Sequence, residues 1–109
     1  MEETEVEKKE EKDFLNYSLE KPVIFEQMTI SNVDLTKLRE MTLDELSEVY
    51  EAYEAMGGNG GVTMDVPIPF AKLIIQRMTG YPLEAIGKMS ARDALRIRMR
   101  IYRFFYLSN

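Results

Sequence analysis

Cysteine and histidine are both missing from this chain of 109 residues. The absence of cysteine excludes disulfide bonds and thiolate metal sites. The absence of histidine removes the side chain that most often serves as a general base or as a transition-metal ligand. Carboxylate pairs such as Asp44 with Glu48 have helical spacing, but they fall on a strongly acidic face where solvation is the normal state. No nucleophile–base pair is visible either, so the sequence predicts a protein that is not an enzyme and that uses no cofactor and no metal.

Long apolar runs are missing as well, which argues against a membrane-spanning helix. The first residues are acidic and polar, unlike a secretory signal, and we expect a soluble cytoplasmic protein. Residues 1–13 are almost all Glu and Lys, with Val6 as the one aliphatic side chain, which predicts a disordered acidic tail. Residues 14–109 are long enough to form one small domain.

Charge is distributed unevenly along the chain. Residues 1–65 carry 17 acidic and 6 basic side chains, a net charge of −11, whereas residues 66–109 carry 2 acidic and 8 basic ones, a net charge of +6. Such a division steers self-association or binding to an acidic partner in some proteins. It is equally consistent with acidic and basic helices that lie against each other within one fold, and the charge pattern leaves both readings open.

Local patterns predict an α+β fold that is mostly helical, with three to five helices and a small N-terminal antiparallel β-hairpin. Residues 16–33 hold two extended segments in which apolar and polar residues alternate, with an interruption at Lys21-Pro22 and a turn at Glu26-Gln27. This pattern fits either one hairpin or three short strands. Residues 35–41 then predict a short helical turn.

The first long helix is predicted from a capping box formed by Thr42 and Glu45. An apolar face follows at helical spacing. It comprises Leu43, Leu46, Val49, Tyr50, Tyr53 and Met56. The glycine-rich residues 57–61 end this helix, and they predict a flexible connector because they lack the Gly-Lys-Ser/Thr ending of a phosphate-binding loop.

The second half of the chain is punctuated by residues that end and begin helices. Gly80 is placed to close a strongly apolar helix that starts near Phe70. Pro82 suits the first turn of a short helix. Ser90 is placed to cap the last helix, with Asp93 three residues on as the acid of a capping box.

The last helix combines a basic stripe with two apolar ridges. The stripe follows from a rotation of about 100° per residue and consists of Arg92, Arg96, Arg100 and Arg103. One ridge consists of Leu95, Met99, Tyr102 and Tyr106, and the other of Ala94, Ile97, Ile101, Phe104 and Phe105. A helix that is apolar on two sides is either deeply buried or shared between its own core and a partner. We favour contact with a partner, or self-association, through one ridge. The alternative is that the hairpin covers one ridge and the other helices cover the second.

A basic stripe with aromatic neighbours also suggests binding to nucleic acid. The acidic balance of the whole domain opposes this, because affinity for phosphate depends on positive charge. The helix also lacks the mixture of Asn, Gln, Ser and Lys that reads base edges. A small nucleic-acid-binding regulator is therefore the alternative function rather than the favoured one.

Several short motifs along the chain occur in an informative order. Residues 17–23 and Phe25-Glu26 contain a Leu-x-x-Pro opening, and residues 30–35 and 38–42 lead from a strand into the first helix. Thr79-Gly80-Tyr81-Pro82 forms a Thr-Gly-hydrophobic-Pro turn. Ile86, Met89 and Asp93 follow it, and Phe104-Phe105 ends the pattern. Together these motifs, over about residues 17–105, resemble the short tail assembly chaperones of long-tailed bacteriophages and prophages. The density of arginine in the last helix and the glycine-rich loop depart from that family.

The resemblance implies a non-enzymatic protein of the bacterial host cytoplasm. Members of the family bind the long tape measure protein during tail assembly, keep it soluble and help to recruit tail tube subunits. In many of them a ribosomal frameshift yields a second, longer form. From the chemistry of the last helix, and not from a family motif, we assign the partner contacts. The apolar contacts are Ile97, Ile101, Phe104 and Phe105, and the charged rim is Arg92, Arg96, Arg100 and Arg103.

Overall fold

The computed structural model describes residues 13–58 and 66–107. The predicted tail, apart from Asp13, and most of the glycine-rich connector lie outside these ranges. Within them the chain forms a two-stranded antiparallel sheet followed by helices, so the predicted α+β, mostly helical fold is confirmed. The elements are β1 (Asn16–Phe25), β2 (Met28–Asp34), a 3₁₀ helix (Thr36–Glu40), α1 (Leu43–Ala55), α2 (Ile68–Thr79), α3 (Leu83–Ile86), α4 (Ala91–Tyr102) and a final π-helical turn (Arg103–Leu107).

The N-terminal strands form one hairpin, not three separate strands. Phe25 pairs with Met28 across the predicted turn at Glu26-Gln27, and Glu26 adopts a left-handed backbone with φ 57°. The strand runs through the expected interruption at Lys21-Pro22, but the register breaks there. Ser18 pairs with Asn32 and Val23 with Ile30, so that four residues of β1 lie opposite one residue of β2. This large bulge leaves backbone N–H groups of β1 without strand partners.

The helix boundaries follow the capping signals in the sequence. The Thr42 side chain accepts a hydrogen bond from the Glu45 backbone, and the Glu45 carboxylate accepts one from Thr42 N, so the predicted capping box is confirmed. Gly80 ends α2 with φ 81°, as the predicted left-handed closing residue. Ser90 caps α4 by accepting from Asp93 N. Pro82 precedes the first turn of α3 as its N-cap, one position earlier than predicted.

One hydrophobic cluster joins the hairpin to the helices. Leu15, Ile30 and Val33 of the hairpin segment are fully buried, as are Ile74 of α2 and Ile97 of α4. The predicted apolar face of α1 is only partly used: Val49 and Tyr53 are buried, whereas Leu43 and Met56 at its two ends are exposed. In neither described range is there a helix of the length and apolarity required to cross a membrane.

Candidate interaction surface on the last helix

A fully buried carboxylate, Asp93, fixes α4 against the hairpin. Its Oδ1 accepts hydrogen bonds from the Tyr17 hydroxyl at 2.7 Å and from Glu20 N at 2.9 Å. Its Oδ2 accepts from Lys21 N at 3.1 Å and from the Ser90 hydroxyl at 3.1 Å. Glu20 and Lys21 lie in the bulge of β1, so the carboxylate takes up the N–H groups that the broken strand register releases.

These hydrogen bonds decide the protonation state of the site. Desolvation by burial raises the pKa of Asp93, but the hydrogen bonds from Glu20 N, the Tyr17 hydroxyl, Lys21 N and Ser90 outweigh it and leave the pKa below its ordinary value of 3.8. Burial and the hydrogen bond to Asp93 raise the pKa of Tyr17, which therefore keeps its proton. Asp93 is thus an ionised acceptor for four donors. It holds α4 to the hairpin in addition to its predicted place in the helix cap.

The arginine stripe of α4 lies along the hairpin. Arg96 Nη1 contacts Glu20 Oε2 at 2.7 Å, and Arg92 Nη1 lies 3.7 Å from Glu20 Oε1, so two guanidinium groups share one carboxylate. Arg100 donates to the Phe14 carbonyl at 3.1 Å and lies 4.6 Å from the centroid of the Tyr17 ring. Arg103 stacks on the Phe14 ring at 4.0 Å. The hairpin therefore engages the whole stripe, with more positive than negative charge left at the surface.

The two apolar ridges of α4 have opposite environments, and this corrects the predicted contact residues. Ile97 and Ile101, two of the predicted partner contacts, are fully buried in the core of the domain. Phe104 and Phe105 are half-buried and pack against the same core. Because a side chain in the core contacts no partner while the domain stays folded, the assignment of Ile97 and Ile101 to an interface is wrong.

The opposite side of the helix carries a more exposed apolar surface, which we call the α4 ridge (Leu95, Met99, Tyr102 and Tyr106), although Tyr102 is half-buried and packs partly against the core. Leu95 is 50% exposed, Met99 57% and Tyr106 38%. The rings of Tyr102 and Tyr106 lie 5.2 Å apart and extend the ridge into the final turn. Arg92 and Arg96 flank it on one side, and Arg98, which donates to the Val66 carbonyl at 3.2 Å, lies on the other. The ridge that was predicted to face a partner is therefore largely in the core, and the other ridge is largely at the surface.

A second surface feature adjoins the α4 ridge, and we call it the side cleft. It lies between α2 and α4, has a volume of about 160 Å³, and is walled by Ala71, Ile75, Ile86, Met89 and Ala94. Ile68, which is 44% exposed, and the half-buried Lys72 mark its open side. Ala94 of the cleft and Leu95 of the ridge both neighbour Ala91 on the helix surface, at spacings of three and four residues, so the two apolar surfaces come close at the first turn of α4.

In the parts of the chain that the structure describes, no group of three or more Asp or Glu residues is placed to hold a metal ion. Glu48, one of the acids considered for such a role, instead pairs with Arg77 of α2 at 2.9 Å. Comparison with protein-family models, with curated proteins and with solved structures gives no match to this chain. The case for function therefore depends on the α4 ridge, the charges around it and the sequence resemblance.

Sequence reasoning missed the tertiary role of Asp93, although a signal for it existed. Asp93 precedes Ile97 by four residues and Ile101 by eight, so it lies on the side of the helix that the two isoleucines bury. An acid on an apolar side indicates a buried carboxylate that needs donors. The donors themselves, Glu20 N and Lys21 N, were not recognisable, because they depend on a strand bulge more than 70 residues away.

Proposed function

We propose that this chain is a tail assembly chaperone of a phage or prophage, and that its α4 ridge binds helical segments of the tape measure protein. The observation that carries the proposal is the exposure of Leu95 and Met99 side by side on a helix that is otherwise well anchored. Burial of each half-exposed side chain against a partner contributes about 1 kcal/mol. The sequence resemblance over residues 17–105 supplies the identity of the client.

The charges around the ridge indicate what kind of helix it fits. Of the ten charged residues in residues 66–109, only Glu84 and Asp93 are acidic, and Asp93 is buried and fully hydrogen-bonded. Arg92 and Arg96 share a single carboxylate beside the ridge. An amphipathic client helix with acidic residues beside its apolar stripe matches this surface, as in other helix-in-groove complexes. The rim charges act mainly on orientation and association rate.

The same geometry makes the alternative, a nucleic-acid-binding regulator, the weaker proposal. Arg100 and Arg103 contact Phe14 and Tyr17, and Arg92 and Arg96 contact Glu20, so the stripe is already engaged by the hairpin. Phosphate binding would have to compete with these contacts. Recruitment of tail tube subunits is proposed from the resemblance alone, and self-association through the ridge is a second use of the same surface.

The test is co-expression of this chain with the tape measure protein encoded in the same genome, followed by measurement of client solubility and co-purification. We expect the client to be soluble only with this chain, and the double variant Leu95→Glu/Met99→Glu to lose the effect. Leu43→Glu/Met56→Glu is the matched control, because it places the same charges on exposed apolar residues of α1. An active ridge variant, or an inactive control, would contradict the proposal. An insoluble client together with co-purified nucleic acid would favour the regulator.

A further inference from the structure

We propose that the side cleft is an anchor pocket for one large apolar side chain of an acidic partner helix that lies along the α4 ridge. The inference rests on the proposed function and adds a specificity-determining site to it. The pocket would select clients with a Phe, Leu or Met at one position of the apolar stripe. With this pocket the surface would discriminate between client helices, which a uniform apolar patch does not do.

The size and lining of the cleft fit such an anchor. An apolar space of about 150 Å³ is large enough to hold a benzene-sized group, and the side cleft, which is open on one side, has a volume of about 160 Å³. Its walls Ala71, Ile75, Ile86 and Met89 are buried and aliphatic, so they favour an apolar group over water. Pockets of this kind hold the side chains that dominate binding energy in interfaces.

The position of the cleft fits a helix that already contacts the ridge. Ala94 lines the cleft and Leu95 begins the ridge. Ala91, one turn earlier, is exposed, and its small side chain leaves room for a partner helix to approach both. A partner helix crossing α4 here presents side chains at i, i+3 and i+4 to both features.

Charge around the mouth favours an acidic partner. Lys72 lines the cleft next to Gly87 at the rim, and a Cβ atom at Gly87 would lie 3.5 Å from Lys72 Nζ. Lys88 and Glu84 lie with Lys72 around an adjoining depression. Two cations, Lys72 and Lys88, and one anion, Glu84, therefore lie beside the opening, and this excess of positive charge suits acidic residues next to the anchor.

The test uses two 21-residue amphipathic peptides that are rich in Glu on one face and Leu on the other and differ only in a central Phe or Ala. Affinities for the full chain are measured by fluorescence anisotropy at fixed salt. We expect the Phe peptide to bind about tenfold more tightly or better, since a buried anchor is worth at least that factor. We expect the NMR signals of the Ile75, Ile86 and Met89 methyl groups to shift when the Phe peptide is added and not when the Ala peptide is added.

The variant Ala94→Leu fills the cleft from α4, and Ala55→Leu makes the same change on an exposed part of α1 as the control. Filling an apolar void maintains or raises the thermal midpoint, so a loss of binding in a stable protein is not a folding defect. We expect Ala94→Leu to bind both peptides with the affinity of the Ala peptide, and Ala55→Leu to discriminate like the wild type. Discrimination that survives in Ala94→Leu overturns the inference.

Failure of the cleft and failure of the chaperone proposal give different results. If both peptides bind equally well and client solubility still depends on Leu95 and Met99, the anchor pocket is wrong and the chaperone proposal stands. If the Phe peptide is preferred but client solubility is independent of the ridge, the pocket stands and the client assignment is wrong. If neither peptide binds the wild-type chain, the anchor inference is overturned.

Discussion

Replacement of Asp93 by Asn tests whether one buried carboxylate sets the position of the last helix. The side chain keeps its shape, so the change alters hydrogen bonding and charge without creating a cavity. Oδ1 of the amide still accepts from the Tyr17 hydroxyl and Glu20 N. The amide nitrogen, however, faces Lys21 N, where Oδ2 accepts in the wild type, and two donors then oppose each other.

The expected cost follows from these contacts. Lys21 N is partly buried, so its loss of an acceptor costs about 1 kcal/mol, the low end of the range for buried donors, and each hydrogen bond that loses its ionised acceptor weakens by about 1 kcal/mol. The Ser90 hydroxyl rotates to accept instead of donating, and an amide costs less to desolvate than a carboxylate, so the net loss falls at about 3 kcal/mol. This is a large part of the 5–15 kcal/mol that is typical of a domain. It corresponds to a fall in the melting temperature of about 12 °C.

Urea unfolding at pH 7, followed by far-ultraviolet circular dichroism, measures the change in the free energy of unfolding. Asp44→Asn is the matched control, because Asp44 is an exposed acid in the first turn of α1. Its loss removes only a helix-end charge interaction of about 0.3–1 kcal/mol. If Asp93→Asn unfolds within 1 kcal/mol of Asp44→Asn, the carboxylate does not hold the hairpin to α4.

Further outcomes follow from the same structure. The lowered pKa of Asp93 means that its stabilisation is complete above its unfolded value of 3.8 and is lost as the pH falls through the folded value; urea unfolding between pH 7 and pH 2.5 should show a shallower acid loss in Asp93→Asn than in the wild type. Ile97→Ala should cost about 2–5 kcal/mol in the same assay, because Ile97 is a core residue. Arg96→Gln should leave stability close to wild type, since its ion pair is exposed, while it slows peptide association at low salt more than at high salt. Glu26→Gly should raise the melting temperature, since it relieves a left-handed residue at φ 57°.

Features that depend on neighbouring residues could be predicted from the sequence. The capping box of Thr42 and Glu45, the end of α2 at Gly80 and the hairpin turn at Glu26-Gln27 are each determined within four or five residues. Capping hydrogen bonds and left-handed backbone positions are local properties, so a sequence pattern contains them completely.

The environment of the two ridges of α4 could not be predicted in this way. Both are apolar and both have helical spacing, so periodicity alone does not state which one enters the core. Ile97 and Ile101 are β-branched and aliphatic, whereas the exposed ridge offers Leu95 and Met99, which are equally acceptable in a core. The choice is made by tertiary contacts between α4 and a hairpin that lies more than 70 residues earlier in the chain.

The strand bulge provides the donors that Asp93 binds, and this contact in turn sets the orientation of the α4 ridge. The register break around Pro22 releases the N–H groups of Glu20 and Lys21, and Asp93 accepts from both. Around the helix Asp93 lies about 160° from Leu95 and about 120° from Met99, so its contact with the hairpin turns the ridge away from the core. Its exposure therefore results from a specific buried network rather than from loose packing. The proposed binding of an acidic, amphipathic partner helix requires an apolar surface that is held in this orientation.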